Sequence, residues 1–267
     1  MTHAQTHSSP AMLFNPLFYL AAIPAIVLIG LSKGGFSGLS LLSLPLLALV
    51  MSPVQAAAVM LPILIVQDVV SVWAFRHTWD KRNLLILVPG AMVGILAGYL
   101  LAAKVPEAAV ELAIGVISVV FAIRRLIIER RPVLPDPAPA DVPRGLFWGS
   151  LIGFTSMVAH AGGPPFQIYV MPQRLPPNVF VGTSAIVFAL VNWLKVPPYI
   201  ALGQFTPENL TISVAMFPVA ILSTWLGVVL VRRVSGVSFY TIVYWLVIVV
   251  GAKLVYDGAT GLIHAYA

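Results

Sequence analysis

The chain has 267 residues, of which 60% are hydrophobic and only 9% are charged, with a formal net charge of +6. A soluble domain carries about 25% charged residues, so the composition excludes a soluble globular protein and indicates an integral membrane protein. Cysteine is absent, which excludes disulfides and thiolate metal or redox sites. The first ten residues contain no lysine or arginine, so we expect a short free tail and not a secretory signal.

The first half of the chain opens with a broken apolar segment. Residues 12–31 approach the length needed to cross the hydrocarbon core of a bilayer. They end at Lys33 and a glycine pair, and a second apolar stretch at 36–50 is too short for a full crossing at about 1.5 Å per residue. Three further spans are predicted at 53–75, 83–103 and 108–128.

A proline-rich segment then divides the chain nearly in half. Residues 129–144 contain five prolines and six charged residues, a composition typical of an extended linker. The second half repeats the plan of the first, with an apolar run at 145–159 that breaks at 160–165 and resumes briefly. Three spans follow at 178–196, 209–231 and 237–255, and we expect Pro197 and Pro198 to interrupt the first of them.

The two halves also match at the level of single residues. In the register that aligns Pro53 with Pro177, Asp68 corresponds to Asn192. Farther along the chain, Asn83 and Leu84 parallel Asn209 and Leu210. The sequence therefore predicts an internal duplication, with repeat 1 at 12–128 and repeat 2 at 145–258.

The positions of lysine and arginine predict the orientation. With the linker in the cytoplasm, the basic residues fall almost entirely on the inner side, as the positive-inside rule requires. Those residues are Arg76, Lys81, Arg82, Arg124, Arg125, Arg130, Arg131, Arg144, Arg174, Arg232 and Arg233, against Lys104 and Lys253 outside. This bias accounts for the positive charge without a nucleic-acid partner. It places the chain in the cell membrane with both termini external.

The predicted fold follows from these observations. It is an all-α membrane protein with two inverted-topology repeats, each containing a broken or re-entrant helical hairpin and three transmembrane helices. Paired breaks in corresponding positions of two halves point to a transport site between repeats. Whether the broken elements are re-entrant or cross the membrane completely is left open.

The first break has the residues that an anion site needs. A helix that starts at mid-depth offers free N–H groups and a partial positive charge, and glycines allow close approach of the backbone. Gly34, Gly35, Phe36 and Ser37 fit this description, and Lys33 adds a full charge. The alternatives are that Lys33 extends from a helix end to the surface and that the glycines serve only packing.

The second break supplies a matching set of donors. Gly162 and Gly163 precede Pro164, which suits the first turn of a helix, and His160 and Gln167 add side-chain donors. The prediction is a small positive pocket suited to a compact oxyanion. A packed, hydrogen-bonded role for His160 is left open.

Three polar residues on the flanking spans complete the candidate site. Asp68 lies inside an apolar span, so it needs a partner or a proton. It pairs with Lys33 or Lys195 in one interpretation and carries a coupling proton in the other. Asn192 is a candidate for substrate binding, whereas the position of Lys195 close to Pro197 favours the membrane interface.

Other classes of site have no support in the sequence. There is no Walker or Rossmann pattern and no metal-ligand cluster at credible spacing, so we expect no cofactor and no metal.

At its two breaks the chain resembles the TauE/SafE family of membrane transporters. The residues that carry the resemblance are 32–38 with 45–47, and 159–166 with Gly182, Thr183 and Asn192. The likeness extends from about residue 28 to residue 258. It implies a secondary transporter of small sulfur-containing or organic anions, such as sulfite, sulfonates or sulfoacetate, and it leaves the direction of transport open.

Three classes of function remain at this stage. The first is a carrier that works by alternating access, with an anion as substrate. The second is a passive anion channel of the same architecture, and the third is an intramembrane enzyme that uses Lys33, His160 and Asp68. The sequence leaves open a coupling proton and a homodimer.

Overall fold

The computed structural model describes residues 16–33, 39–48, 50–101, 106–129, 136–231 and 236–266. Within these ranges the chain is helical and contains no strand, as predicted. The α-helices are α1 (Pro16–Lys33), α2 (Ser43–Ala48), α3 (Pro53–Phe75), α4 (Lys81–Leu101), α5 (Glu107–Glu129), α6 (Val142–Ala159), α7 (Gly163–Val170), α8 (Pro177–Ala201), α9 (Pro207–Val231) and α10 (Gly236–Tyr266). Short 3₁₀ turns at Leu39–Leu42 and Met171–Gln173 precede α2 and follow α7.

Several of these helices have the length and composition of membrane spans. Within the described residues, α1, α3, α4, α8 and α9 are long and apolar enough to cross a bilayer. Their outward faces carry large apolar side chains such as Leu20, Trp73 and Leu222, which a lipid environment accommodates and water does not. The protein is therefore an integral membrane protein.

One predicted boundary is wrong. The span predicted at 178–196 is not interrupted at Pro197 and Pro198, since helix α8 continues through both to Ala201. A proline inside a helix removes one N–H bond to the preceding turn and crowds the carbonyl four residues before it. Here both prolines fall in the last turn and a half of a 25-residue helix, so few helical bonds remain after them to be disturbed. The helix end is closed again by the N–H of Leu202, which donates to the carbonyl of Pro198 at 2.9 Å.

Close helix contacts join the two halves of the chain. Helix α4 packs on α6, where a Cβ atom on Gly94 would clash with the backbone of Ser150. Helix α9 packs on α1, where a Cβ atom on Gly30 would clash with Ser223. Such small-residue contacts let two backbones approach each other closely in lipid. The inverted relation of the two halves remains a prediction.

Two apolar clusters form the interior. The first lies around α4, α6, α7 and α8 and includes Phe166 and Val191. The second lies around α1, α2, α3 and α9 and includes Ile29 and Leu64. The cavity described next is lined by residues from both clusters, so it lies where the two packed units meet.

Candidate functional site

The break after α6 is a sharp turn built on a strained residue. Helix α6 ends at Ala159, and His160 adopts a left-handed conformation with φ of 50°. Its N–H donates to the carbonyl of Ser156 at 3.2 Å, and the N–H of Ala161 donates to Thr155 at 3.1 Å. A left-handed residue other than glycine costs about 1–2 kcal/mol, so side-chain contacts must hold His160 in place.

Those contacts fix the tautomer of the imidazole. Nε2 of His160 lies 3.0 Å from the carbonyl oxygen of Ala57, and Nδ1 lies 2.8 Å from Nζ of Lys195. Because a carbonyl only accepts, Nε2 carries the proton, and Nδ1 accepts from the lysine. The tyrosine hydroxyl of Tyr199 lies 3.4 Å from Nε2.

The start of α7 opens into a cavity. Gly163 is the first residue of the helix, and a Cβ atom built on it would meet nothing within 4 Å. The cavity has a volume of about 60 Å³. Its polar lining residues are Ser32, Lys33, Ser40, Ser156, His160, Gln167, Ser184 and Asn192. Pro164 and Pro165 in the first turn of α7 have no N–H, and the N–H of Phe166 donates to the carbonyl of Gly162 at 3.2 Å. The start of the helix therefore contributes the N–H of Gly163 and a partial positive charge to this space.

A buried ion pair lies at one side of the cavity. Lys33, the last residue of α1, pairs with the carboxylate of Asp68 on α3. Nδ2 of Asn192 donates to the other carboxylate oxygen of Asp68 at 2.6 Å. Asp68 is only 1% exposed, so its charge is balanced by the lysine and its second oxygen is hydrogen-bonded. Nζ of Lys33 also lies 5.8 Å from the ring centroid of Phe188.

Lys195 is buried at the site and does not lie at the membrane interface that its position near Pro197 favoured. The expected place at the membrane interface is wrong, because the side chain is 0% exposed. Its Nζ donates to the carbonyl of Ser156 at 3.2 Å and contacts His160. Since α8 continues past Pro198, this lysine lies inside the bundle and behind the break, away from a helix end.

Gln167 is the least satisfied side chain at the site. It lies on α7, lines the cavity and is 1% exposed. In the part of the chain that the structure describes, neither its Nε2 nor its Oε1 has a hydrogen-bond partner. Buried side-chain amides are normally paired, so Gln167 is a lining residue whose buried amide has both a donor and an acceptor left unpaired.

Most of the chain matches a known protein family. Residues 22–254 match the family described as Sulfite exporter TauE/SafE. The chain belongs to the TauE/SafE family. No curated protein and no solved structure matches the chain. The family assignment agrees with the resemblance at the two breaks, and it makes the protein a membrane transporter.

The structure brings most of the predicted site residues of this TauE/SafE protein together. Lys33, His160, Gly163, Gln167 and Asn192 line the same cavity. Asp68 lies directly behind Lys33 and Asn192, and Lys195 lies behind His160. Gly162 lies under the ring of Phe188, where a Cβ atom would be 2.9 Å from that ring.

The predicted donors of the first break, Gly34, Gly35, Phe36 and Ser37, lie outside the described residues. Among the described residues, no group of three histidine or acidic side chains is placed to hold a metal ion.

Sequence reasoning missed several lining residues on α8. Ser184, Ala185 and Phe188 line the cavity together with Asn192. Their spacing relative to Asn192 corresponds to one face of a helix. That spacing was available in the sequence, but serine and phenylalanine within an apolar span carry no chemical signal of their own.

Proposed function

We propose that this TauE/SafE protein carries a compact sulfur oxyanion of the sulfite class across the membrane, by alternating access around the cavity at the start of α7. The observation that carries the proposal is a cavity lined by a cation, the start of a helix and a buried glutamine with an unpaired amide. The family description, Sulfite exporter TauE/SafE, supports sulfite as the first substrate to test. Sulfonates and sulfoacetate, the larger anions that the resemblance implies, are the second.

The electrostatics of the cavity favour an anion. Nζ of Lys33 and the N-terminal end of α7 both contribute positive potential. The carboxylate of Asp68 is turned toward Lys33 and Asn192, which offsets part of the lysine charge without blocking its remaining N–H donors. We therefore assign Asp68 to a structural pair with Lys33, in preference to a proton carrier.

The mechanism follows from the position of the cavity between the two apolar clusters. An anion bound there contacts both packed units, so a movement of one unit against the other would expose it on either side. A coupling proton, if one moves with the anion, is best placed on the pair formed by Lys195 and His160, which contact each other at 2.8 Å. An amine and a bare imidazole nitrogen at this distance are able to exchange a proton directly.

The transport test uses purified protein in proteoliposomes. Sulfite uptake by the wild type should saturate with concentration, as a carrier requires, whereas a channel would give uptake that rises without saturation. We expect Lys33→Ala to abolish uptake, because it removes the cation that faces the cavity. The matched control is Lys253→Ala, which removes a lysine paired with Asp257 on an exposed part of α10. Normal uptake by Lys33→Ala would contradict the proposed site.

The proposed orientation has an independent test, since the natural chain contains no cysteine. A cysteine introduced at the exposed linker residue Asp136 should react with a membrane-impermeant reagent only from the cytoplasmic side. A cysteine at the exposed Leu202, at the opposite end of α8 from the linker side, should react only from outside. The reverse pattern would invert the orientation.

A further inference from the structure

We infer that the cavity selects an anion with a single charge that carries its own O–H group, such as hydrogen sulfite, and that Gln167 recognises this hydroxyl. The inference rests on the proposed function and adds the protonation state and the shape of the substrate. The inference predicts that the cavity binds a hydrogen oxyanion more tightly than a fully deprotonated dianion. It also predicts weaker binding of sulfinates and sulfonates, which have oxygen acceptors but no O–H donor.

The unpaired amide of Gln167 favours a ligand that carries its own O–H group. Leaving a buried amide group without a partner costs free energy, so a ligand that fits the site should satisfy both of its atoms. Nε2 needs an acceptor, which any oxyanion supplies, but Oε1 needs a donor, which only a protonated oxyanion supplies. The conclusion holds for either orientation of the amide, since both atoms lack a partner in the described part of the chain.

Other buried amides in the same region are largely or fully paired by protein. Gln173 exchanges hydrogen bonds with Asn83 at 2.8 and 2.9 Å and donates to the carbonyl of Tyr169 at 3.2 Å. Gln67 donates to the carbonyl of Ile26 at 3.2 Å and lies outside the cavity lining. Among the described residues, Gln167 is thus the cavity-lining glutamine with both side-chain atoms unpaired.

The charges of the side chains around the cavity favour a singly charged anion. The carboxylate of Asp68 is paired with Lys33, and within the described residues Lys195 has no carboxylate partner. If Lys195 is an ammonium, a singly charged anion brings the sum of the three side chains and ligand to zero. If Lys195 is a neutral amine, the total charge of the three side chains and the ligand is one unit less negative with a singly charged anion than with a dianion. Net charge is costly in the membrane interior, so both cases favour the singly charged form.

The volume of the cavity limits the size of the anion that it can hold. A water molecule needs about 10–15 Å³ of cavity volume measured with a water-sized probe, so a cavity of about 60 Å³ has room for only a few heavy atoms. Phe166 and Phe188 line it, with their ring centroids 5.6 Å apart. A pyramidal sulfur oxyanion fits this space, whereas a sulfonate with an aryl or extended alkyl group does not.

The test compares two ligands of the same shape. Methanesulfinate has a methyl group where hydrogen sulfite has its hydroxyl, and both carry one negative charge. Binding of each to purified protein is measured by calorimetry at a pH where hydrogen sulfite predominates. The wild type should bind hydrogen sulfite at least about tenfold more tightly, because methanesulfinate leaves Oε1 of Gln167 without a donor.

Two variants test whether Gln167 is the residue that discriminates between hydrogen sulfite and methanesulfinate. Gln167→Met keeps the length of the side chain and breaks no hydrogen bond to protein, so it should fold and should bind the two ligands within about threefold of each other. Gln173→Met makes the same change on the 3₁₀ turn that follows α7, outside the cavity lining. It should lower the melting temperature and keep the preference of the wild type.

A pH series provides a second readout. As the pH rises and hydrogen sulfite loses its proton, the affinity for total sulfite should fall relative to that for methanesulfinate, whose charge stays constant. Lys33, Asp68, His160, Lys195 and Tyr199 surround the site and act on both ligands, so the ratio of affinities isolates the ligand hydroxyl.

The outcomes separate this inference from the proposed function. Equal affinities in the wild type, or a preference that survives in Gln167→Met, would overturn the inference and leave sulfite-class transport in place. A stronger affinity for the sulfite dianion than for hydrogen sulfite would also overturn the inference and leave sulfite-class transport in place. Failure of the wild type to bind either ligand would overturn the proposed function, and the inference with it.

Discussion

Two buried polar clusters in this TauE/SafE protein differ in how completely their members are paired. The pocket cluster consists of Lys33, Asp68, His160, Gln167, Asn192 and Lys195. The loop cluster consists of Asp80, Asn83, Gln173 and Thr183, and it joins the start of α4 to the 3₁₀ turn after α7 and to α8. Both clusters contain an asparagine and a glutamine from different parts of the chain, but only the pocket cluster faces a cavity.

The loop cluster is closed. The side chains of Asn83 and Gln173 donate to each other, and Oδ1 of Asp80 accepts from the backbone and the side chain of Asn83 at 2.7 and 2.9 Å. The N–H of Asp80 donates to the hydroxyl of Thr183 at 2.8 Å. The amides of Asn83 and Gln173 are paired with each other and none of the four residues lines the cavity, so this cluster holds elements together.

The pocket cluster is open. Its charged members are paired or hydrogen-bonded among themselves, but the amide of Gln167 and the start of α7 are left to face the cavity. The comparison teaches that burial and polarity alone do not mark a binding site. Unpaired donors and acceptors on residues that also line a cavity mark it, since Oγ of Ser43 and Oε1 of Gln67 are unpaired but lie on residues outside the lining. The predictions below test this distinction.

The largest effect is expected from breaking the buried ion pair. Asp68→Ala leaves Lys33 without its carboxylate and Asn192 without its acceptor, so we expect a loss of about 3–5 kcal/mol in the free energy of unfolding. The double variant Lys33→Met with Asp68→Leu replaces the pair by apolar side chains and should recover most of that stability. Denaturant titration in detergent measures both values.

The same double variant separates stability from transport. It should remain folded but fail to take up sulfite, because the cation that faces the cavity is gone. Normal uptake by the double variant would show that Lys33 serves only to balance the charge of Asp68. The pocket cluster would then, like the loop cluster, only hold elements of the fold together.

A smaller effect is expected in the loop cluster. Asn83→Ala leaves the buried amide of Gln173 without its main partner, which should cost about 1–3 kcal/mol of stability. The affinity for sulfite should stay within about twofold of the wild type, since Asn83 does not line the cavity. A large loss of affinity at unchanged stability would mean that the loop cluster belongs to the site.

The smallest effect on stability is expected at Gly163. Its substitution by alanine meets open space beyond the neighbouring residues of the chain. The helix preference of alanine is offset because a residue with a Cβ atom before Pro164 is disfavoured in helical conformation, so the melting temperature should stay close to that of the wild type. The added methyl group enters the cavity, and we expect the affinity for sulfite to fall several-fold. Gly153→Ala on α6 is the matched control, because its Cβ atom would clash with the backbone of Ala91 and should destabilise the protein. Unchanged sulfite affinity in Gly163→Ala would place the ligand elsewhere.

The sequence predicted the parts of this site whose chemistry is local. The break at His160 and the restart at Gly163 follow from a glycine pair and two prolines in an apolar run, and both occur where expected. The register of the duplication matched Asp68 with Asn192, and these two side chains contact each other. Contact between corresponding positions is what a two-fold axis close to them would produce.

The parts that depend on packing were not predictable in the same way. Lys195 looked interfacial because prolines follow it, but the tertiary contacts of α8 carry the helix past them and bury the lysine. The choice between Lys33 and Lys195 as partner of Asp68 required the positions of α1 and α8 relative to α3. The free amide of Gln167 likewise became visible only after every possible partner had a position.

The central claim is that an oxyanion binds in the cavity between Lys33, Gln167 and the start of α7. Selenite, the heavier analogue of sulfite, tests it directly through anomalous diffraction at the selenium edge from crystals grown with the ligand. The account predicts one strong anomalous peak within hydrogen-bond distance of Gln167 and close to Nζ of Lys33. A peak at another position, or an empty cavity at a selenite concentration that saturates binding in solution, would contradict it.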